Sequence, residues 1–397
     1  MKKFFRTIAL STIALAVIAG NAMAYQITLD VSGERTQSRN ATQGTTKAAY
    51  YNPSGLVNLP EGIHVDLGNR ILNLVTTVEN TAGQEAISNT WTLMLPNAAA
   101  VWRVGAGALF LTFDIREGGA GGSWIDDLEA VNVLNGTVGN TNITGAEGTT
   151  YTYGISFGGA ARLNNMLAFT GGVRLLQQNK YNYYEGNFVN FGAIAEYKNT
   201  SAYGWQGFLG FMVTPMEGLN ITFNYVSETL KTGETASRFR NGSTTYASYT
   251  SWSPNMIALG VGYTVAPGVE IQLSYNLTLE GSMSYGGVYK YDRDNGPASV
   301  FGLGAEYKLM DLLSVSFGLS YHDDRTHEVR NNDPTDPSMD KVVLGAGVVI
   351  TPMPGLSIDL GMSYHMYLES TYTTGGVDVF TYNRNAFVMG FAVSYGI

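Results

Sequence analysis

The sequence predicts an all-β protein: a transmembrane antiparallel β-barrel of about fourteen strands with an N-terminal hatch inside the lumen. Apolar and polar residues alternate along many short stretches, and tight turns alternate with long polar stretches. Only 14 % of the 397 residues are charged although 45 % are hydrophobic, whereas soluble domains carry roughly 25 % charged residues. Past residue 24 no run of about 18 apolar residues occurs, which argues against a helical membrane protein.

The first residues have the pattern of an export signal. Lys2, Lys3 and Arg6 precede a short apolar stretch, and Ala22-Met23-Ala24 fits a signal-peptidase site. A transmembrane anchor is the alternative, but the apolar stretch is too short for one. The chain has no Cys, which excludes thiolate chemistry and suits an oxidising compartment. The predicted division is a signal peptide over 1–24, a hatch over 25–61 and a barrel with long extracellular loops over 62–397.

The rest of the chain consists of hairpins that share one plan. Residues 256–263 alternate between apolar and small side chains, Ala266-Pro267-Gly268 predicts a turn, and 269–277 alternate again. The plan recurs with short turns at 164–165, at 215–218, near Met310 and at 351–355. Between the hairpins we expect long loops over 118–150, 181–202, 232–251 and 326–339. Short turns at one end and long loops at the other are typical of outer-membrane barrels, which have an even number of strands.

The position of the aromatic residues favours a barrel over a soluble sandwich. In a barrel the apolar side chains of each strand face lipid and the polar ones face the lumen. Four tyrosines lie on the apolar face of their strands, near the strand ends where aromatic girdles occur. They are Tyr263, Tyr307, Tyr321 and Tyr364. A soluble core rarely grows past about 300 residues without splitting, and no linker is visible. A soluble β-sandwich array or solenoid remains the alternative.

A segment of unusual length precedes the first predicted strand. Residues 25–61 are polar and aperiodic in the middle and end in an Ala/Tyr-rich run followed by Asn52-Pro53-Ser54-Gly55-Leu56. This length suggests a plug folded into the lumen, with a flexible periplasmic tail as the alternative. Because of this element, the signal peptide and the repeated hairpins, the chain resembles the FadL-like outer-membrane transporters of long-chain fatty acids and related hydrophobic compounds. That family usually has Asn-Pro-Ala, so Ser54 departs from its pattern.

The resemblance implies a passive channel in the outer membrane, assembled by the barrel assembly machinery, surrounded by membrane lipid and monomeric. Ligand would be captured at the extracellular loops, bind inside the barrel near the hatch, and leave by a lateral opening beside a kinked third strand when the N-terminus moves. Our third strand, 105–115, contains glycines that fit a kink or a plain turn. The resemblance assigns hatch and gating roles to Asn52, Pro53, Ser54, Gly55, Gly105 and Gly107, and ligand contact to Tyr25 and Ile27.

An apolar cargo needs an apolar site in the lumen, because burial contributes about 0.8 kcal/mol per CH₂. By alternation Phe208, Met212 and Met256 point inward, where they either bind ligand or pack against the hatch. Arg174 is the clearest inward base and Arg70 a second one. Either could bind a ligand carboxylate or pair with a lumen acid. The inward acids outnumber the bases, so neutral aromatic hydrocarbons are an alternative cargo. These acids are Asp114, Glu228, Glu270, Glu280, Glu306 and Asp359.

Other functions have weaker support in the sequence. The net charge of −9 argues against binding of nucleic acid, which needs basic patches. His322 with Asp323 and Asp324 could transfer protons, or with His327 and Asp333 could hold a metal, but a solvated acidic loop explains them as well. We therefore predict no catalytic residue, metal or cofactor. The alternatives to a hydrophobic-compound transporter are a general porin or host-interacting surface barrel and, third, an outer-membrane hydrolase.

Overall fold

A single antiparallel sheet that closes on itself dominates the protein. The computed structural model of the chain describes residues 29–123, 141–188, 192–239, 242–279, 298–323, 339–374 and 377–397. The predicted signal peptide, Tyr25 and Ile27 lie outside these residues. The strands are β1 Gly62–Asn80, β2 Glu85–Val104, β3 Gly107–Ser123, β4 Thr141–Arg162, β5 Leu167–Phe188, β6 Gly192–Met216, β7 Leu219–Val226 with Thr229–Phe239, β8 Thr244–Ser253 with Asn255–Ala266, β9 Val269–Leu279, β10 Ala298–Met310, β11 Leu313–Asp323, β12 Lys341–Met353, β13 Leu356–Tyr367 with Ser370–Thr374, and β14 Val377–Gly396.

The sheet closes into a barrel through its first and last strands. β14 pairs with β1 from Phe380 opposite Asn80 to Gly396 opposite His64, and every other strand pairs with its neighbours in sequence. β7, β8 and β13 are each interrupted once. In β8 the interruption is Pro254, which has no N–H for the ladder. The structure thus confirms the predicted antiparallel barrel of fourteen strands.

The two ends of the barrel differ as predicted, but several strands are longer than expected. Short turns join the strands at the end where β1 begins and β14 ends, and Gly268 in one of them has a φ of 76°, a conformation that favours glycine. At the other end, residues 181–188, 192–202, 232–239 and 244–251 are strand, although we predicted loops over 181–202 and 232–251. These stretches are polar on both faces, which removes the hydrophobic alternation, whereas their many Tyr and Thr residues still favour strand.

The two faces of the sheet have opposite polarity. Outward side chains such as Leu273 and Phe317 are 53 % and 64 % exposed, as expected for a surface that meets lipid. Inward polar side chains such as Gln272 and Ser316 are buried. This arrangement matches the predicted assignment of apolar residues to lipid and polar residues to the lumen. Within the described ranges, no helix is long and apolar enough to cross a membrane.

The inward polar face is buried because residues 29–61, the lumenal segment, lie against it. The segment contains helix α1 (Val31–Thr36), helix α2 (Ala48–Tyr51) and a 3₁₀ helix (Pro53–Asn58). Asp30 caps α1 by accepting a hydrogen bond from the Gly33 N–H at 3.0 Å, which is a common N-cap interaction. Helices this short are unstable alone, so contacts with the barrel wall must hold them.

Candidate functional site

Glu34 links α1 to two barrel strands. Its Oε1 accepts a hydrogen bond from Arg70 Nη1 of β1 at 2.9 Å, and its Oε2 accepts one from Ser363 Oγ of β13 at 2.7 Å. Burial raises the pKa of Glu34, but His365, Arg70 and Ser363 outweigh this effect and lower the pKa to about 2. Glu34 is therefore ionised at neutral pH. Arg70, which we considered as a ligand base, binds an acid of the lumenal segment.

Two bases of the lumenal segment bind the inward acids of the wall. Arg35 contacts Glu306 of β10 at 2.6 Å and Asp359 of β13 at 3.1 Å. Lys47 Nζ lies 2.8 Å from Asp66 of β1 and 3.1 Å from the other oxygen of Asp359. Burial lowers the pKa of Lys47, but the neighbouring carboxylates raise it above its ordinary value. Two of the six predicted inward acids, Glu306 and Asp359, therefore meet bases of the lumenal segment, whereas Asp114 pairs with Arg116 of its own strand.

The Asn-Pro element folds back on the polar middle of the lumenal segment. Asn52 Nδ2 donates to the Thr42 carbonyl at 3.0 Å, and Ser54 Oγ donates to Asn52 Oδ1 at 2.6 Å. Pro53 begins the 3₁₀ helix, where its missing N–H costs nothing. A Cβ atom on Gly55 would lie 2.5 Å from the Thr42 carbonyl oxygen, so only glycine fits there. Ser54 thus makes a local hydrogen bond at the position where the resembling family has Ala.

Two arginines of the barrel wall bind the end of the 3₁₀ helix. Arg103 Nε and Arg162 Nη2 each donate to the Val57 carbonyl at 3.0 Å. Arg103 Nη1 also donates to the carbonyls of Gly107, at 3.1 Å, and of Gly105. We predicted that the third strand begins at Gly105, but Gly105 lies in the β2–β3 turn with a φ of 53° and the strand begins at Gly107. Arg103 therefore connects both glycines to the lumenal segment.

A cavity lies between the lumenal segment and strands β3 to β9. Apolar side chains line one part of it, among them Leu29, Phe110, Phe208 and Met256, and Arg174 lines the polar part. Its volume is about 50 Å³, whereas a protein cavity of roughly 150 Å³ holds benzene. Any ligand of that size or larger requires the lining to move.

Arg174 and Phe208 form the boundary between the polar and apolar parts of the cavity. Arg174 Nε donates to Ser156 Oγ at 2.9 Å, and its Nη1 donates to Gln206 Oε1 at 3.4 Å. The guanidinium carbon lies 5.5 Å from the centre of the Phe208 ring, and that ring lies 6.0 Å from the ring of Phe110. The site can therefore offer a cation and an aromatic surface to one ligand.

Three of the four described residues that we predicted to contact ligand line this one cavity, namely Arg174, Phe208 and Met256. The fourth, Met212, points inward as predicted but packs with Val57, Ala160 and Ala168. Its sulfur lies 3.7 Å from Asn52 Nδ2. Met212 therefore supports the lumenal segment, which was the alternative reading of its inward position.

The hydrogen-bonded ladder between β2 and β3 is incomplete. It runs from Val104 opposite Gly107 to Ala98 opposite Phe113 and then stops, although both strands continue. Bulges interrupt the β3–β4 pairing between Ile115 and Glu117 and again in the glycine-rich stretch 118–121. The irregularities of the third strand lie at 115–121, further along the strand than Gly105 and Gly107, to which the resemblance assigns a gating role. The β2–β3 seam thus has the shortest ladder in the described part of the wall.

Two of the described histidines each lie beside a serine. Ser320 Oγ lies 3.0 Å from His322 Nε2, and Ser363 Oγ lies 3.0 Å from His365 Nε2. The described part of the chain holds no group of three or more His, Asp or Glu side chains arranged to bind a metal. Asp324, His327 and Asp333, the other residues of the weak predicted site, lie outside the described residues, as does Glu280.

The sequence missed most of the residues that fix the lumenal segment. Glu34, Arg35 and Lys47 belong to a stretch that we described only as polar and aperiodic. The available signal was electrostatic: the inward face of the strands had more acids than bases, and the lumenal segment contains Arg35, Arg39 and Lys47. Buried charges require partners, so this imbalance could have predicted the docking.

Comparison with solved structures identifies the same fold in hydrophobic-compound channels. The P. putida toluene transporter TodX superposes with a TM-score of 0.70 at 14 % identity, covering 94 % of this chain and 99 % of that chain. A Pseudomonas aeruginosa FadL homologue gives a TM-score of 0.73 at 14 % identity with the same coverage. The Ralstonia pickettii toluene transporter TbuX gives 0.66 at 17 % identity, again with the same coverage. No family model and no curated protein matches the sequence.

Proposed function

We propose that the protein is a passive transporter of hydrophobic compounds in the bacterial outer membrane, with long-chain fatty acids or aromatic hydrocarbons as cargo. The observation that carries this proposal is the cavity between the lumenal segment and strands β3 to β9, which joins apolar side chains to Arg174. The barrel fold, which fits an outer-membrane protein, and its likeness to the toluene transporters and the FadL homologue support it. The lumenal segment would act as the hatch.

The chemistry of the cavity suits a cargo that is mostly apolar. Each buried CH₂ of a ligand contributes about 0.8 kcal/mol, and Met256 can adapt to ligands of different shape. A carboxylate at the end of the ligand would bind Arg174, since an arginine can donate two parallel hydrogen bonds to it. A neutral aromatic ligand would use Phe110 and Phe208 instead. No step of such transport needs a cofactor or an energy source.

Release would begin at the N-terminal end of the lumenal segment. The backbone N–H groups of Leu29 and Asp30 donate to the Tyr51 hydroxyl at 2.7 and 3.1 Å. Leu29 lines the cavity, whereas from Asp30 onward ion pairs and caps hold the chain. We propose that residues before Asp30, including Tyr25 and Ile27, move to enlarge the cavity. The cargo would then leave sideways through the incomplete β2–β3 seam.

The proposal is tested by ligand binding to the purified, detergent-folded barrel. We expect saturable binding of a fluorescent long-chain fatty acid or of radiolabelled toluene, with little ion conductance in planar bilayers. Phe208→Ala should weaken binding by roughly ten- to a hundredfold, the equivalent of about 1.5–3 kcal/mol for burying a Phe side chain. Deletion of residues 25–28 should weaken it as well.

Phe169→Ala is the matched control, because Phe169 is 42 % exposed on the outward face and should not touch the ligand. Equal effects of the two Phe substitutions would reject the cavity as the binding site. No binding together with a steady open conductance would favour a general porin or surface barrel.

A further inference from the structure

A buried ion pair crosses the lumen next to the cavity. Lys231 of β7 donates a hydrogen bond to Glu117 Oε2 of β3. Two hydroxyls complete the carboxylate's partners: Ser253 Oγ of β8 donates to Oε1, and Thr152 Oγ1 of β4 donates to Oε2 at 3.0 Å. The side chains of Lys231 and Glu117 are 0 % and 3 % exposed. Neither residue takes part in fixing the lumenal segment.

The β3 bulge places Glu117 in the lumen. From the inward residue Asp114, strict alternation would direct position 116 inward and position 117 outward. The bulge between Ile115 and Glu117 changes this pattern, and both Arg116 and Glu117 are buried. Four strand spacings of about 4.8 Å separate β3 from β7 around the wall. The pair therefore crosses the lumen instead of following a ladder.

The pair lies on the extracellular side of the cavity. Glu117 follows Arg116, which lines the cavity, on a strand that runs toward the loop end of the barrel. Lys231 follows the lining residue Val226 by five positions on a strand that runs the same way. Ser253 precedes the lining residue Met256 on β8, which runs back toward the short turns. A cargo that arrives from the loops must pass this pair before it reaches Arg174.

We propose that the Glu117–Lys231 pair is a gate that selects acidic amphiphiles, because a carboxylate headgroup can replace Glu117 on Lys231. This proposal rests on the proposed function and names its substrate class. Separating a buried ion pair without replacement leaves an uncompensated charge, which is strongly unfavourable, and a neutral hydrocarbon offers no replacement. A fatty acid that enters as the neutral acid does: it passes its proton to Glu117 while its carboxylate takes the place of Glu117 on Lys231. One carboxylate and one ammonium then remain paired, and the neutral Glu117 keeps the hydroxyls of Thr152 and Ser253 as partners.

The test compares a fluorescent C16 fatty acid with its methyl ester, which differs only in the charge and size of the headgroup. Stopped-flow association with the detergent-folded full-length barrel gives the two rate constants. In the wild type the acid should associate about tenfold faster than the ester, because tenfold corresponds to about 1.4 kcal/mol, which is less than one hydrogen bond to a charged group contributes. In Glu117→Gln/Lys231→Met this preference should fall to about twofold or less, because no charge remains to exchange.

A single variant, Glu117→Gln, keeps the size of the side chain and its hydroxyl partners, so it guards against misfolding of the double variant. It leaves Lys231 without its carboxylate, and we expect faster association of the acid with no change for the ester. The control is Lys308→Met/Asp311→Asn, which removes an exposed ion pair of 2.7 Å in the β10–β11 turn and should change neither rate.

The failures of the gate and of the proposed function give different results. If the wild type binds neither the acid, the ester nor radiolabelled toluene, the proposed function is wrong and the gate with it. If it binds toluene alone, only the gate is overturned. If the wild type binds both and the acid-to-ester ratio is the same in the wild type, in Glu117→Gln and in the double variant, the gate is overturned while the transporter stands. Equal rates for acid and ester in the wild type also overturn the gate.

Discussion

The docking of the lumenal segment depends on a strand glycine, and Gly318→Ala should disrupt it. Gly318 lies on β11 beneath the end of α1. A Cβ atom at this position would lie 2.0 Å from the carbonyl oxygen of Thr36 and 2.1 Å from its carbonyl carbon. Both are backbone atoms, so no side-chain rotation can relieve the clash. Since carbon atoms pack best at about 3.5–4.0 Å, α1 must retreat by roughly 1.5 Å.

Such a retreat would break the ion pairs that hold α1. The Glu34–Arg70 pair at 2.9 Å and the Arg35–Asp359 pair at 3.1 Å would lengthen beyond about 4 Å, past hydrogen-bond distance. A hydrogen bond to a charged group contributes about 1.5–3 kcal/mol, and overpacking costs about 1–3 kcal/mol. We therefore expect docking to weaken by at least about 3 kcal/mol, more than a hundredfold in the ratio of docked to undocked segment.

Limited proteolysis of the lumenal segment and single-channel conductance measure this change. Gly318→Ala should expose the segment to protease and raise the conductance. The matched control is Gly171→Ala on the outward face of β5, where a Cβ atom would have no neighbour closer than 3.7 Å. Alanine is intrinsically better than glycine within a strand, by roughly 0.5–1 kcal/mol, so propensity alone would stabilise both variants. Wild-type proteolysis and conductance in Gly318→Ala would refute the steric reasoning.

Three further predictions concern the same docking. Arg103→Met removes a hydrogen bond to the end of the 3₁₀ helix and should increase proteolysis near residue 58, whereas conductance and proteolysis equal to the wild type would exclude this anchor. Docking should not change from about pH 7.5 to 10, above the ordinary pKa of histidine, because His365 lies 3.9 Å from Glu34; conductance measures this. Glu34 has a pKa of about 2, below its ordinary value of 4.5, so its contribution is present above 4.5 and is lost as the pH falls toward 2. Lys47 has a raised pKa, so its contribution is present below its ordinary value of 10.5 and is lost above it. A transition between about pH 7.5 and 10 would contradict this assignment. Asn52→Ala breaks the hydrogen bond within the lumenal segment and should reduce the free energy that favours docking by about 1–3 kcal/mol. The same proteolysis assay measures this, and an unchanged cleavage rate would count against it.

The barrel could be predicted because its two solvents impose a simple pattern. Each membrane-spanning strand alternates between lipid and lumen, so Leu273 and Gln272 differ in polarity although they are neighbours. The pattern fails where the strands leave the membrane. Residues 244–250 are strand, but their side chains are exposed or half-buried on both faces, so alternation gave no signal there and we predicted a loop.

The candidate site could be predicted only in part. Alternation fixes whether a side chain points inward or outward, but neither its position along the barrel axis nor the residues that it contacts. Phe208 and Met212 both point inward, yet one lines the cavity and the other packs under the lumenal segment. The Arg35–Glu306 hydrogen bond joins residues 271 positions apart, and no local pattern encodes such a pair. Glu117 was missed because a bulge reverses its direction, and bulges leave little trace in the sequence.

The ion pairs of α1 and the cavity lie against different parts of the wall. The ion pairs of Glu34 and Arg35 reach β1, β10 and β13, whereas the cavity faces β3 to β9. Sites that share no partners are energetically independent to a first approximation. Gly318→Ala should therefore change conductance with little effect on ligand affinity, and Phe208→Ala should do the reverse. If both substitutions changed both properties equally, cargo binding and docking would be one event, and release would require the whole segment to leave the wall.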